Sequence, residues 1–485
     1  MSRQSTLRSI FWLTLSEILF NLSGYIIHAV AGRELGPSDY GRYSIIITLT
    51  TVIVVLIGNG VPTAMSRYLS EAFEKNPALV PSIRKQGIKL QFLLMLGVTA
   101  IFFLCAPLIA WALNDPTLTP LFRLSSLIIP AFAAASFYFS YFTGLHLFHY
   151  QSILKSFRSV VRIVLIVGLI LAYGLKGAII GYILAPMITF LLGLYYDKKV
   201  YAKEFAHIET HREFPYQKLL NYAWPITLFM LFYEIFISAD LYIIKTLLRD
   251  DTATGIYNAA LTIGRIPYYL FYALAIFLLP ALAKIKSEKN KARLSNVMTS
   301  ALRWSGIILV PTCILISIYA KPLTKLFFGN DYLAAAPLLS ILVFGLGLMT
   351  VFYLICSALN GIGQAKLSTY LAVVGTVCSI ALNYYCIQHF GLIGAAYATT
   401  LSAFITTLVT FFIFQRHINI HYDTLKIIKT ALVSVLVFTP LLTFTVKGWY
   451  FIPVSIVTIA IYTAILFYTD VITQKDVPKK FSRKK

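Results

Sequence analysis

Acidic side chains are scarce. Only 19 Asp and Glu stand against 41 Lys and Arg in 485 residues, and charged types together make up 12%. Ordinary soluble domains carry about 25% charge, so the shortage excludes that class. Cysteine is sparse as well: Cys105, Cys313, Cys356, Cys378 and Cys386 all fall inside apolar stretches without paired spacing. Disulfides and a Cys-based zinc site are therefore not expected. No phosphate-cradling Gly-x-x-x-x-Gly-Lys loop is present, so the chain is not expected to hydrolyse ATP itself. The pairs His146/His149, His207/His211 and His417/His421 lack a neighbouring cysteine or acidic cluster at ligand spacing, so no metal and no other cofactor is expected.

What replaces charge is hydrocarbon. The chain is 58% hydrophobic with a mean hydropathy of +0.77. A membrane-crossing helix needs ~20 mostly apolar residues. About fourteen such windows fit: 9–31, 42–62, 88–113, 121–144, 158–175, 178–196, 219–241, 255–283, 299–319, 333–358, 367–388, 393–415, 427–446 and 449–470. Window one is long and has no small-residue cleavage site, so it is expected to stay as a span. The expected fold class is an all-α polytopic membrane protein.

The net charge of +22 does not point to nucleic acid. With the N-terminus inside, about 31 of the 41 Lys and Arg fall on cytoplasmic loops, tails and helix ends, as the positive-inside rule expects. Basic clusters at 198–212, 284–293 and 475–485 are topology determinants that meet anionic lipid headgroups. The basic segment His146–Arg162 reads as an interfacial loop.

Leu35-Gly36-Pro37 interrupts the first two windows, and neither Gly36 nor Pro37 suits a continuing helix, so a tight turn is expected there. Gly41-x-Tyr43-x-x-x-x-Thr48-Leu49 returns as Gly255-x-Tyr257-x-x-x-x-Thr262-Ile263, an offset of about 214 residues. Gly174-Leu175-x-Gly177-Ala178 returns as Gly391-Leu392-x-Gly394-Ala395, an offset of about 217. Thr143-Gly144-Leu145 lines up with Ser357-Ala358-Leu359. These echoes predict two six-helix lobes in parallel pseudo-twofold repeat plus two C-terminal helices. The expected divisions are an N-terminal lobe at 1–200, a cytoplasmic linker at 201–218, a C-terminal lobe at 219–416, appended helices at 425–470 and a basic cytoplasmic tail at 471–485. A parallel repeat puts the central cavity between the lobes.

Glu17, Asn21, Gly24 and His28 form one helical stripe in window one, and Asn258, Thr262, Arg265 and Tyr269 form another in window eight. Thr48 is the echo of Thr262. A carboxylate or guanidinium inside a bilayer is expensive, about 2.5–3.5 kcal/mol for Arg on insertion scales, and marks a cavity or a paired contact. Glu234 and Asp240 are the candidate partners of Arg265. Free of a partner, Arg265 would suit a phosphate. Arg33, Arg42 and Lys245 are outer-side cations that suit either an exit ring for phosphate or interfacial snorkelling. Tyr138, Tyr141, Tyr233, Tyr268, Tyr269 and Tyr272 are candidates for stacking on sugars, with core packing as the alternative.

The turn at 31–43, with Gly32 inserted before Arg33, followed by Gly60-Val61-Pro62-Thr63-Ala64-x-x-Arg67, resembles the oligosaccharide flippases of the polysaccharide transporter family. Their superfamily also holds lipid II flippases and multidrug and toxin extrusion transporters. The resemblance implies a transporter rather than an enzyme: a flippase that moves a polyprenyl-(di)phosphate-linked oligosaccharide from the cytoplasmic to the outer leaflet by alternating access. It implies membrane lipids and other polysaccharide assembly proteins as partners, and a cell-membrane location with both termini cytoplasmic. Lipid II flippases use cavity arginines in windows one, two and eight. Here Arg265 alone matches. The alternatives are a drug or cation antiporter of the same superfamily and a membrane glycosyltransferase or polysaccharide polymerase.

Overall fold

The computed structural model describes residues 3–58, 60–205, 214–269, 271, 278, 282, 285, 286, 288, 290–418, 420, 424–443 and 448–472. Residues 206–213 of the expected linker, His207, His211, His421, Tyr272 and most of the basic tail lie outside them. All regular structure among the described residues is helical, and nine of these helices are long and apolar enough to cross a membrane.

Three of the long helices are hairpins. Helix α1 (Arg3–Gly58) breaks at Gly36, where φ is 69° and ψ 172°. His28 Nδ1 lies 3.0 Å from the Tyr40 hydroxyl across that break, although the two are 12 residues apart. A straight helix would separate them by about 18 Å. The turn expected at Leu35-Gly36-Pro37 is therefore present. Downstream come α2 (Val61–Lys75), α3 (Val80–Ala112), α4 (Thr119–Ser125) and α5 (Ile128–Gly144). Helix α6 (Phe148–Glu204) then folds back at Gly174, with φ 56° and ψ −136°.

After α7 (Tyr216–Phe236), α8 (Ala239–Leu248), α9 (Asp251–Gly264), α10 (Lys291–Ile318), α11 (Ala320–Phe328) and α12 (Ala335–Gly361), helix α13 (Ala365–Gln415) folds back at Gly391, with φ 59° and ψ −142°. The echoed glycines 174 and 391 thus carry the same backbone conformation, one open in practice only to glycine. The shared turn also shows three residues later. A Cβ on Gly177 would lie 2.5 Å from the Leu169 carbonyl carbon, and one on Gly394 would lie 2.8 Å from that of Cys386. In both hairpins the returning helix presses on the backbone eight positions earlier.

Two expectations are corrected. The segment 146–162 is not a loop: α6 begins at Phe148, so Lys155, Arg158 and Arg162 stand on a helix of membrane-crossing length. The stripe Asn258–Thr262–Arg265–Tyr269 is interrupted as well, because α9 ends at Gly264 and Arg265 sits in a one-residue turn before helix resumes at Ile266. Pro267 explains the break, since it has no N–H to offer the Ile263 carbonyl.

By packing, the chain divides into two compact units, Met1–Thr262 with Gln364–Thr399 and Ile263–Gly363 with Thr400–Lys485. In the first, Met65, Leu69, Phe137, Tyr138, Tyr141 and Phe142 form a buried cluster joined by Leu219 and Ala223 of α7. In the second, the C-terminal helices Thr424–Phe438 and Phe451–Tyr468 pack on α10 through Phe438, Tyr462, Leu466 and Ile307. Tyr138, Tyr141 and Tyr233 are core residues in this structure, each under 5% exposed.

Candidate functional site

Three residues from distant parts of the first unit converge on one hydroxyl, that of Tyr40. Asn258 Nδ2 donates to it at 2.9 Å, His28 Nδ1 lies at 3.0 Å and the Thr262 hydroxyl at 3.4 Å. Thr262 also donates to the Asn258 carbonyl, 2.8 Å away, which orients both side chains of α9. The Tyr40 ring stacks on Tyr43, whose hydroxyl meets that of Tyr182 at 2.9 Å. Tyr40 and Tyr43 are fully buried, and Asn258 and Thr262 nearly so. Three of the residues expected to line a cavity, His28, Asn258 and Thr262, are thus brought together. Tyr40 is the hub that stripe counting missed. Its only sequence signal is its place four residues beyond the Gly36 turn, where it folds back onto window one.

The Tyr40 cluster stands beside a close backbone crossing. A Cβ on Gly41 would lie 2.9 Å from the Asp251 carbonyl carbon and 3.0 Å from Gly255 N. A Cβ on Gly255 would lie 3.0 Å from the Pro37 carbonyl carbon and 3.0 Å from Gly41 N. The two echoed glycines therefore face each other, backbone to backbone. Small residues are what allow helices this approach inside a membrane.

Around the crossing lies an ion network. Lys245, only 3% exposed, binds Asp115 at 2.8 Å and also Asp251. Arg42 reaches Asp251 at 3.9 Å and donates to the Thr117 hydroxyl. Asn114 Nδ2 donates to the Thr246 carbonyl at 3.0 Å. Burial alone would push the Asp115 carboxyl up. Hydrogen bonds from Lys245 and Thr117, with the charges of Lys245 and Arg42, outweigh it and hold that carboxyl below its ordinary value. Two of the three expected outer-side cations, Lys245 and Arg42, are thus engaged by carboxylates; Arg33 is exposed three residues before Gly36.

The remaining stripe of window one divides. Asn21 and Gly24 are half-buried, while Glu17 pairs with Lys155 of α6. Beside that pair stand Arg158 and Arg162, one and two turns further along the same face. Asp240 is 1% exposed. Its carboxylate accepts from the Tyr257 hydroxyl at 2.7 Å, the Thr399 hydroxyl at 3.0 Å and Leu241 N at 2.8 Å. Asn383 of α13 donates in turn to Thr399 at 3.3 Å. Thr48 and Glu234 are half-buried on α1 and α7 and belong to neither cluster. In the second unit, Arg265 follows α9, and exposed Tyr269 meets Tyr268, which meets Tyr353. Among the described residues no three His, Cys, Asp or Glu side chains gather as a metal site would require, and all five cysteines are free. An apolar cavity of about 280 Å³ between Leu127, Ala131, Met187 and Phe190 holds none of the polar residues named here.

Residues 6–286 match the family described as polysaccharide biosynthesis protein, and residues 218–385 match the family described as MatE. The chain is 23% identical over 459 residues to the membrane protein MJ1068 of Methanocaldococcus jannaschii, covering 91% of this chain and 90% of that one. A shorter match, 25% over 155 residues, joins 32% of this chain to 33% of the probable low-salt glycan biosynthesis flippase Agl15 of Haloferax volcanii. Among solved structures, the lipid II flippase MurJ in its inward closed conformation superposes with a TM-score of 0.76 at 18% identity, over 95% of this chain and 99% of that one. The fold is therefore that of a polytopic membrane transporter.

Proposed function

Because this chain belongs to the polysaccharide biosynthesis protein family, we propose that it is a flippase for a polyprenyl-(di)phosphate-linked oligosaccharide, carried from the cytoplasmic to the outer leaflet for surface polysaccharide synthesis. It works by alternating access of the duplicated lobes 1–200 and 219–416, with helices 425–470 appended and the termini on the cytoplasmic side. Lipid carriers and other polysaccharide assembly proteins are its partners.

The observation that carries this reading is the meeting of Gly41 with Gly255. Equivalent backbone points of a duplicated chain touch there, which is the geometry a rocking pair of repeats needs at its pivot or gate. The Tyr40 cluster beside it joins α1 to α9 through neutral hydrogen bonds, each worth about 0.5–1.5 kcal/mol net. Such contacts are cheap enough to exchange during transport. With an inside-negative potential, moving a diphosphate of about −2 outward gains ~4–5 kcal/mol per 100 mV. Agl15 and MurJ, two of the proteins it resembles, are named as flippases, which agrees with a chain that does no bond-making chemistry.

The test is translocation in proteoliposomes. A diphosphate-linked fluorescent sugar should become accessible on the far side, faster under an inside-negative potential. Proton-driven movement of a cationic dye with no movement of the lipid-linked sugar would favour the antiporter reading. Sugar transfer to an acceptor without translocation would favour an enzyme.

A further inference from the structure

Phe20 of α1 has three cations around its ring, and they come from a single face of α6. Arg162 stands 4.6 Å from the ring centroid, Arg158 5.4 Å and Lys155 5.6 Å. Glu17 neutralises Lys155. Neither arginine has an ion pair or a hydrogen bond with any described residue, and the Nε atoms of both are buried without a partner. Arg158 is only 6% exposed. Its guanidinium is walled by Phe132 at 4.2 Å and Phe139 at 5.8 Å. Arg162 reaches across to α1, its Nη2 3.2 Å from where a Gly24 Cβ would stand. Three cations against one carboxylate leave an excess of two positive charges inside a membrane-length helix pair.

Aromatic faces attract a guanidinium but do not satisfy its five N–H donors. An anion with several acceptor oxygens does both, and planar guanidinium groups pair with phosphate in bidentate fashion. We propose that Arg158 and Arg162, backed by Phe20, Phe132 and the Glu17–Lys155 pair, form a binding site for a phosphate or diphosphate group within the first unit. Its residues are none of those that meet the Tyr40 hydroxyl or form the Lys245 network, and it adjoins the Tyr43–Tyr182 pair, which lies within electrostatic reach of both arginines. It deepens the flippase reading, on which the choice of a lipid-borne phosphate rests. Glu17 has a place in it as well: by holding Lys155 it leaves the two arginines as the free pair, with a charge that matches one diphosphate.

The test is binding to purified full-length protein in nanodiscs, with geranylgeranyl diphosphate, inorganic pyrophosphate and geranylgeraniol as probes. Wild type is expected to bind geranylgeranyl diphosphate, with Arg158→Gln and Arg162→Gln each weakening it at least tenfold and leaving geranylgeraniol binding unchanged. Competition by pyrophosphate would mean that the site takes the free anion, and its failure to compete would mean that the anion must arrive on a lipid. Either result supports the site. Because the arginine is buried and unpaired, the unliganded Arg158→Gln protein is expected to melt no lower than wild type. Should that variant fail to fold, Arg158→Lys keeps the charge without the fork and is expected to bind the diphosphate several-fold more weakly. Affinity for geranylgeranyl diphosphate within twofold of wild type in Arg162→Gln and in either Arg158 variant overturns the site and leaves the flippase reading standing. A wild-type protein that binds no lipid diphosphate overturns both.

Discussion

Replacing Gly41 with Ala tests the backbone crossing directly. The added methyl would lie 2.9 Å from the Asp251 carbonyl carbon and 3.0 Å from Gly255 N, and closer still to the Asp251 oxygen. Carbon atoms settle at about 3.5–4.0 Å, so the two backbones must separate by several tenths of an ångström to more than one. The obstacle is main chain on both sides, so no side chain can swing away. Overpacking of this kind costs about 1–3 kcal/mol, and separation would also stretch the Tyr40–Asn258 bond, worth about another 1 kcal/mol. A loss of about 2–4 kcal/mol is expected for Gly41→Ala, and the same for Gly255→Ala, whose methyl meets Pro37 across the same gap. The double variant should lose clearly less than the sum, since one separation accommodates both methyls. Thermal unfolding of the purified protein in detergent, followed by tryptophan fluorescence, reads all three. Melting temperatures of the single variants within a degree of wild type would refute the crossing. Strict additivity would refute the shared gap.

The Lys245 network makes two further predictions. Lys245→Met strands Asp115 and Asp251 beside each other and is expected to cost about 3 kcal/mol, the low end for a broken buried pair because both carboxylates are partly exposed; the triple variant with Asp115→Asn and Asp251→Asn should recover part of it, and an unchanged melting temperature in Lys245→Met would count against the network. Because the Asp115 carboxyl is held below its ordinary value of 3.8, its contribution is fully present above that pH and is lost only as pH falls below it. Stability measured against pH should therefore show an acid-side fall that Asp115→Asn makes shallower, and an identical fall in that variant would refute the assignment. Gly174→Ala and Gly391→Ala should each cost about 1–3 kcal/mol through backbone conformation alone, since no atom waits within 4 Å of either new methyl. Gly168→Ala is the control, with equally open space and an ordinary helical backbone; equal melting temperatures for the three would sink the argument.

Turns proved more legible than charges. Leu35-Gly36-Pro37 announces itself because proline and glycine act on the chain locally, whatever packs around them. The echo at 174 and 391 was readable for the same reason. His28, Asn258 and Thr262 could be chosen from helical spacing, but spacing says nothing about which residue the stripe meets, so Tyr40 stayed hidden among 31 tyrosines. Arg265 was placed on the Asn258 stripe by counting. Pro267, two residues beyond, breaks the helix at Arg265, and helix resumes at Ile266. In the sequence Lys155 reads as part of a basic loop, and Arg158 and Arg162 as the overlap of that loop with the start of window 158–175, because cations usually mark the ends of spans. The signal to the contrary is their i, i+3, i+7 spacing with Phe157, Val160 and Val161 between, which a solvated loop does not need.

The echoed hairpin shows that this turn does not require those cations. Helix α6 begins at Phe148 and turns at Gly174, and α13 begins at Ala365 and turns at Gly391, so both hairpins start and turn at the same offset. In that register Lys155, Arg158 and Arg162 correspond to Ala372, Gly375 and Ser379. Ala372 and Ser379 are fully buried, and Ser379 accepts from Asn383. One hairpin thus closes on small, uncharged side chains, whereas its counterpart closes on three cations and pairs only one of them. Turn geometry, the length of the arm before the turn and close packing are common to both, so none of these accounts for the charge. An unpaired buried guanidinium weakens a folded protein unless something else interacts with it. What the first hairpin has and the second lacks is an attraction for an anion, and the phosphate site proposed on α6 accounts for that asymmetry, which a site symmetric about the Gly41–Gly255 crossing would not.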